Sequence, residues 1–130
     1  MNSVFFSSLS DDWSTPQSVY SILNEEFHFT FDPCPLYSDF DGLILSWKDQ
    51  VVFCNPPYSD ITTWVKKAFM ECLINNTTVV MLLPARTDTK WFHDYILPFS
   101  EIRFIRGRLK FGDHKNNAPF PSMICIFRRI

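Results

Sequence analysis

Two short apolar runs, each halted by proline, constrain the fold of this chain more than any other feature. The first, Val51–Cys54, ends at Asn55-Pro56-Pro57-Tyr58, and the second, 79–83, ends at Pro84. A strand covered on both faces need not alternate, so both runs are predicted to be buried strands. Proline cannot donate to a sheet ladder, so each strand should end there. The helical pattern between them completes a βαβ unit, which predicts an α/β fold with a right-handed crossover.

The intervening helix is predicted to start at Ser59 or Asp60 and to end at Asn75-Asn76. Its apolar stripe is assigned to the core and consists of Ile61, Trp64, Val65, Ala68, Cys72 and Leu73. Thr15 is a good N-cap for an earlier helix, with Pro16 in its first turn, and locally this cap explains both residues. Further strands are predicted at 29–33, at 101–106 with 108–111 as an extension, and at 123–127.

The residues after the first strand suit one kind of chemistry. Open α/β sheets place ligands beyond the carboxyl ends of their strands. There the Pro56 carbonyl and the Asn55 amide offer two acceptors, and Tyr58 offers an aromatic face. This set fits a planar group that carries an NH2, because acceptors that hold both hydrogens make the nitrogen lone pair available. The competing interpretation is a plain proline-rich turn, and we favour the functional site.

Composition limits the class of protein. The 130 residues predict one domain, here 13–130, after a loose arm at 1–12. Only 3 glycines are present, which excludes a glycine-rich phosphate loop, and the net charge of -2 requires any nucleic-acid surface to be local. The 4 cysteines form no C-x-x-C pair, and Cys54, Cys72 and Cys125, which lie in apolar runs, are predicted to be buried thiols. With no evident secretory signal or membrane-length apolar run, the expected location is a reducing cytoplasm.

Charged candidates each have two interpretations. Asp32 and Asp41 could contact a ligand or cap turns, and Arg86 could contact substrate or pair with Asp88 at the surface. His93 is predicted to lie on a helix surface rather than to act as a base. The basic C-terminal third is either a solvated face or a phosphate-binding one. It comprises Arg103, Arg106, Arg108, Lys110, Lys115, Arg128 and Arg129.

Several motifs together resemble a known family, the phage-type (Dam-like) DNA N6-adenine methyltransferases, over about Trp13 to Arg128. They occur in the family's order and are Trp13-Ser14-Thr15-Pro16, Phe31-Asp32-Pro33-Cys34, Asp41-Gly42-Leu43 to Trp47, Asn55-Pro56-Pro57-Tyr58, Leu83-Pro84-Ala85-Arg86-Thr87-Asp88-Thr89-Lys90-Trp91-Phe92-His93 and Gly107-Arg108-Leu109-Lys110-Phe111. Asn-Pro-Pro-Tyr alone is shared with other amino-methyltransferases, whereas the ordered set is far more specific.

The resemblance implies a reduced Rossmann-like class I methyltransferase fold, with a mainly parallel sheet, a reversed C-terminal strand or hairpin, and helices on both faces. It implies methyl transfer from S-adenosylmethionine to adenine N6 in DNA, in the host cytoplasm for a phage protein and without a metal. The implied catalytic residues are Asn55, Pro56, Pro57 and Tyr58. The implied cofactor-binding residues are Trp13, Thr15, Pro16, Asp32, Pro33, Cys34, Asp41 and Asn55. The implied DNA contacts are Arg86, Arg106, Arg108, Lys110 and Lys115.

The chain departs from larger methyltransferases in two ways that keep rival hypotheses open. First, Asp32-Pro33-Cys34-Pro35 stands where larger methyltransferases carry a glycine-rich loop. Second, the segment from Phe31 to Val51 is too short for the further strand that carries their ribose-binding acid, so Asp39 or Asp41 would have to take that role. Without a separate DNA-recognition domain, specificity would fall to loops or to a homo-oligomer. One rival is a DNA-binding or decoy protein that kept the fold and lost the cofactor. Another is an amino-methyltransferase acting on protein glutamine or on cytosine.

Overall fold

A computed structural model describes residues 14–35, 39–111 and 118–129. The predicted arm at 1–12, Trp13 and Lys115 lie outside these ranges. The strands are β1 (Val51–Cys54), β2 (Thr78–Pro84), β3 (Glu101–Phe104) and β4 (Ser122–Phe127). The helices are α1 (Gln17–Phe27), α2 (Ile61–Asn75) and α3 (Leu97–Phe99), the last preceded by a π-helical turn at Phe92–Ile96.

The sheet is mixed, so the expectation of a mainly parallel sheet is wrong. Its strand order is β1-β2-β4-β3. The βαβ unit pairs β1 and β2 in parallel, as expected, with Val52 opposite Val79. β4 runs antiparallel to both β2 and β3 and therefore forms the reversed C-terminal hairpin. Because β4 is antiparallel to both of its neighbours, only one of the three pairings between these four strands is parallel.

The predicted strand at 29–33 is reduced to a single parallel bridge between Phe31 and Val52. The Thr30 N–H donates to the Val51 carbonyl at 2.8 Å, and the Phe53 N–H donates to the Phe31 carbonyl at 3.1 Å. Pairing stops there because Pro33 has no N–H to donate. The segment still runs parallel to β1, so its carboxyl end lies at the same edge of the sheet.

Apolar side chains cover both faces of the sheet, as the non-alternating runs predicted. On one face Val52, Val79 and Met81 pack with α2 and the π-helical turn. On the other, Phe53 and Val80 pack with Leu23 of α1. Helices therefore lie on both faces. Within the described ranges, no helix combines the length and the apolar character needed to cross a bilayer.

The predicted stripe of α2 is correct at its start and wrong at its end. Leu73 is 50% exposed, and Glu71 is buried in its place at 7% exposure. The Glu71 carboxylate accepts the Trp47 backbone N–H at 2.5 Å and lies 3.5 Å from the Lys67 ammonium. A buried acid is tolerated here because it is hydrogen-bonded and paired. The helix ends, as predicted, at Asn75-Asn76: Asn75 is its last residue, and Asn76 is the C-cap, with a left-handed φ of 55°.

Trp47 anchors the long connection that precedes β1. Its side chain is fully buried, its Nε1 donates to the Gly42 carbonyl at 2.9 Å, and its own carbonyl accepts from the Thr77 hydroxyl at 3.1 Å. Together with the bond from the Trp47 backbone N–H to Glu71 of α2, the bond to Gly42 fixes the position of the Gly42 turn relative to that helix.

The expected extension of the C-terminal hairpin is wrong. β3 ends at Phe104, which is 65% exposed, and the predicted strand at 108–111 is irregular. Gly107 has a φ of 75°, which breaks the extended backbone. The segment after it is held by a bond from the Ala118 N–H to the Leu109 carbonyl at 2.7 Å.

Candidate functional site

Three segments meet at one edge of the sheet because each follows a parallel stretch of backbone. Residues 32–34 follow the Phe31 bridge, 55–58 follow β1, and 85–89 follow β2. The topology of the sheet therefore brings residues 32–34 and 85–89 to the same edge as the Asn-Pro-Pro-Tyr motif. A fourth segment, before α1, joins them through a side-chain hydrogen bond to Asn55.

That hydrogen bond joins Asn55 to Thr15, and it corrects the predicted helix cap. The Asn55 Nδ2 group donates to the Thr15 hydroxyl at 3.1 Å, across 40 residues of sequence. α1 begins at Gln17 with Pro16 at its N-cap and without a side-chain capping bond. The Val19 and Tyr20 N–H groups instead donate to the Pro16 carbonyl at 3.1 Å. Thr15 is thus turned toward the motif and away from its own helix.

The two prolines set the course of the chain through the motif. Pro56 is buried, and Pro57 is extended with φ -62° and ψ 133°. A short 3-10 turn, Tyr58–Asp60, follows, and the Asp60 N–H donates to the Pro57 carbonyl at 3.1 Å. The sharp change from extended strand to turn fixes where the Tyr58 ring is placed.

The Tyr58 ring packs against a residue that sequence reasoning missed. Phe120 meets it edge to face, with ring centroids 5.1 Å apart and planes at 72°. The Arg86 guanidinium lies 6.0 Å from the Phe120 centroid, so the loop after β2 reaches the same cluster. The available signal was a lone aromatic between Pro119 and Pro121 in an otherwise polar loop.

Burial sets the ionisation of Tyr58. It raises the pKa of the phenol far above its ordinary value, and the positive charge of Arg86 offsets only part of that rise. The hydroxyl is therefore neutral throughout the physiological pH range. Tyr58 offers the site an uncharged aromatic ring.

The loop after Phe31 packs tightly against the turn around Gly42. A Cβ on Gly42 would lie 1.9 Å from the Pro33 carbonyl oxygen, so only glycine fits there. Asp32 accepts the Cys34 N–H at 2.9 Å, and Asp41 accepts the Leu43 N–H at 2.9 Å. Both acids therefore cap turns, and their predicted ligand contacts stay predictions.

Asp32 and its neighbours form a partly dehydrated cluster. Burial raises the pKa of the Asp32 carboxyl, while the bond from the Cys34 N–H lowers it. Burial also raises the pKa of the Cys54 thiol well above its ordinary value, and nearby Cys34 and Asp32 raise it further. Cys54 and Cys125 are buried as predicted, Cys72 only partly so, and all four thiols are reduced.

The basic C-terminal third divides into two groups. Arg103 donates to Glu26 at 2.7 and 2.8 Å and to Glu101 at 2.6 Å. Arg128 donates to Glu101 at 2.9 Å, and Arg129 donates to the Leu73 carbonyl. These three arginines are engaged within the protein. The second group consists of the predicted DNA contacts that lie within the described ranges, and all of them are exposed to solvent: Arg86, Arg106, Arg108 and Lys110.

His93 stabilises the loop after β2. It is exposed on the π-helical turn, as predicted, and its Nε2 lies 2.7 Å from the Thr87 carbonyl oxygen. The Thr89 hydroxyl donates to the Arg86 carbonyl at 2.8 Å and accepts the Phe92 N–H at 3.3 Å. The loop that carries Arg86 is thus held in place. Across the ranges covered by the structure, no cluster of three metal-binding side chains occurs.

Comparison with known proteins points the same way as the geometry. The family model described as DNA N-6-adenine-methyltransferase (Dam) matches residues 2–130. A protein named DNA N-6-adenine-methyltransferase from Haemophilus phage HP1 (strain HP1c1) is 28% identical over 135 residues, covering 90% of this chain and 78% of the relative. A protein of the same name from Escherichia phage T1 is 32% identical over 111 residues, covering 76% of this chain and 46% of the relative. No solved structure gives a significant match.

Proposed function

This chain belongs to the DNA N-6-adenine-methyltransferase family, and we propose that it transfers a methyl group from S-adenosylmethionine to the N6 amine of adenine in DNA. The observation that carries the proposal is the placement of Asn55-Pro56-Pro57-Tyr58. The motif follows β1 at the edge where the other predicted site segments converge. A reduced Rossmann-like methyltransferase fold agrees with the parallel β1–β2 unit and the helices on both faces, although the sheet is mixed.

The proposed chemistry depends on making a poor nucleophile reactive. The lone pair of an exocyclic amine is delocalised into the ring. The Asn55 carboxamide oxygen and the Pro56 carbonyl would accept its two hydrogens and favour the pyramidal nitrogen of the transition state. S-adenosylmethionine would supply an electrophilic methyl group; the new bond to N6 would form as the carbon–sulfur bond breaks, leaving S-adenosylhomocysteine and one amine proton released to water. Alignment of the two reactants provides much of the rate.

We infer that the residues around Asp32 would hold the methionine end of this cofactor. Burial raises the pKa of the Asp32 carboxyl, so a neighbouring ammonium group would favour its charged form. Pro33 and Cys34 continue the same loop, and Asp41 stands on the turn packed against it. Thr15 and Pro16 approach from the start of α1.

Adenine must leave the double helix to reach these acceptors. Unstacking a base costs a few kcal/mol, which contacts at the site must recover. The neutral ring of Tyr58 would stack on the flipped base. Exposed Arg86, Arg106, Arg108 and Lys110 would contact phosphates and hold the duplex against the site.

Two assays on the purified protein test the proposal. Calorimetric titration with S-adenosylmethionine, alone and with DNA, should show binding; its absence would favour the DNA-binding or decoy hypothesis. Tritium transfer from labelled cofactor to an adenine-containing duplex should proceed with wild-type protein. It should be abolished in Asn55→Ala while the thermal unfolding midpoint is kept, because one amine acceptor is lost. A wild-type rate in that variant would exclude the role given to Asn55.

A further inference from the structure

The Thr15–Asn55 hydrogen bond assigns a role to Thr15 beyond the cofactor contact that family likeness implies. We propose that Thr15 is a positioning residue: its hydroxyl takes the Asn55 NH2 group, so that the carboxamide oxygen is the atom offered to the target amine. The inference rests on the proposed function and deepens it. Its direct support is the 3.1 Å bond from Asn55 Nδ2 to Thr15 Oγ1.

The need for such a partner follows from the asymmetry of a carboxamide. One end of the Asn55 side chain is an acceptor and the other is a double donor. Turned the wrong way, its NH2 would face the NH2 of adenine, and two donors repel each other. Turned the right way, its NH2 points into the protein. There it requires an acceptor, because an unpaired buried donor is costly.

A threonine hydroxyl suits this task because it can accept as well as donate. In this bond the Thr15 hydroxyl is the acceptor, so it holds the Asn55 NH2 group and directs the carboxamide oxygen away from Thr15. A backbone N–H or a lysine in its place would bind only the oxygen and would hold the amide the wrong way round. The geometry also explains why Thr15 does not cap α1: its hydroxyl is directed to Asn55.

The position of Thr15 is fixed because α1, the helix that begins just after it, is anchored to the rest of the protein. Leu23 is buried against the sheet, and Glu26 near the last turn binds Arg103 through both carboxylate oxygens at 2.7 and 2.8 Å. Pro16 has an extended backbone at the helix start, with φ -59° and ψ 133°. A residue joined to a secured helix can hold the rotamer of Asn55 across 40 residues of sequence.

Nuclear magnetic resonance tests the contact without requiring activity. In 15N-labelled protein, the Asn55 NH2 signals are identified by their loss in Asn55→Asp. We expect them to exchange slowly with water in wild type and at least about fivefold faster in Thr15→Val, which keeps the side-chain shape and removes the hydroxyl. Thr62→Val, the same change at an exposed position of α2, should leave them unchanged. Equal exchange rates in wild type and Thr15→Val would overturn the inference.

Kinetics then separate positioning from cofactor binding. At saturating S-adenosylmethionine, Thr15→Val should lower kcat about tenfold, a larger change than any loss of cofactor affinity, and Thr15→Ser should restore kcat. A fall in cofactor affinity that matches the fall in activity, or no rescue by serine, would overturn the positioning role. If wild-type protein itself transfers no methyl group to DNA, the proposed function fails, and the exchange experiment still decides whether the contact exists.

Discussion

Tyr58 is a residue whose ring and hydroxyl can be tested separately. Its ring meets Phe120 edge to face at 5.1 Å, and its hydroxyl is kept neutral because burial raises the phenol pKa far above the ordinary value. A group that stays neutral contributes no pH dependence in the working range. If stacking is its function, the ring should matter and ionisation should not.

We therefore expect Tyr58→Phe to keep much of the methyl-transfer activity with an unchanged pH profile. Tyr58→Ala should raise the KM for DNA by about tenfold or more, because stacking on an aromatic ring stabilises an extruded base by about 1–3 kcal/mol. The cofactor Kd, measured by calorimetry, should barely change in either variant. Equal loss of DNA and cofactor binding in Tyr58→Ala would argue against stacking.

Gly42 gives a second test at the residue scale. Gly42→Ala places a methyl group 1.9 Å from the Pro33 carbonyl oxygen, so the loop must move, at a cost of about 1–3 kcal/mol. Because that loop carries Asp32, the affinity for S-adenosylmethionine should fall as well.

Gly107→Ala is the matched control for this change. Its added Cβ meets nothing within 4 Å, although the positive φ of 75° costs about 1–2 kcal/mol. Stability should fall in both variants, but cofactor affinity should fall only in Gly42→Ala. Undiminished cofactor binding by Gly42→Ala would separate the Asp32 loop from the cofactor site.

The residues of the site differ in how far sequence could predict them. Asn55 and Tyr58 follow from local rules, because an apolar run and two prolines fix their place at a strand end. Thr15 satisfied a local rule, the helix cap, and was misassigned because its true partner is distant in sequence. Phe120 was missed because its contact with Tyr58 depends on how β4 enters the sheet.

At the scale of elements, α1 is joined to the sheet by an arginine that the sequence suggested for phosphate binding. Arg103 on β3 binds Glu26 of α1 and Glu101 of its own strand. Hydrogen bonds from Arg103 are the main reason that the pKa values of both carboxyls lie below the ordinary 4.5. The stabilisation is therefore fully present above pH 4.5 and is lost as pH falls through the lowered values.

We expect Arg103→Gln to lower the thermal unfolding midpoint above about pH 5. The difference from wild type should shrink below pH 4.5, as both carboxyls become protonated, and also at high salt, because these groups are exposed. Arg106→Gln, at an exposed position just beyond β3, should have little effect at any pH. A difference that stays constant from pH 7 to pH 3 would show that Arg103 stabilises the fold by packing alone.

The positions of individual strands could be predicted from the sequence, but the order in which they pair in the sheet could not. Apolar runs and prolines correctly placed β1, β2 and the helix between them, because those signals are local. The insertion of β4 between β2 and β3 depends on long-range pairing, which no run of residues encodes by itself. The segment at 29–33 has a strand-like sequence, yet it forms one bridge because its pairing ends at Pro33.

At the scale of the whole molecule, a net charge of -2 must coexist with DNA binding. In the basic C-terminal third, Arg103 and Arg128 form ion pairs with glutamates. Within the described ranges, the exposed basic residues that remain there for DNA are Arg106, Arg108 and Lys110. Binding through a local patch predicts a modest salt dependence, because each phosphate contact contributes separately.

We expect Arg108→Gln to weaken DNA binding similarly for all sequences. It should reduce the slope of log K against log salt by about 0.9, the value for one lost phosphate contact. Lys48→Gln, an exposed charge at the opposite end of β1, should leave the slope unchanged. Equal slopes for wild type and Arg108→Gln in a fluorescence-anisotropy titration would remove Arg108 from the DNA-binding surface.

The identity of the methylated atom is what most directly tests the role given to the Asn55–Tyr58 site. Duplex DNA incubated with purified protein and methyl-labelled S-adenosylmethionine would be digested to nucleosides and analysed by mass spectrometry. We predict that the label appears as N6-methyldeoxyadenosine and is absent with Asn55→Ala. Label on cytosine or on protein, or no label in DNA despite measured cofactor binding, would contradict an adenine-methylating site at the end of β1.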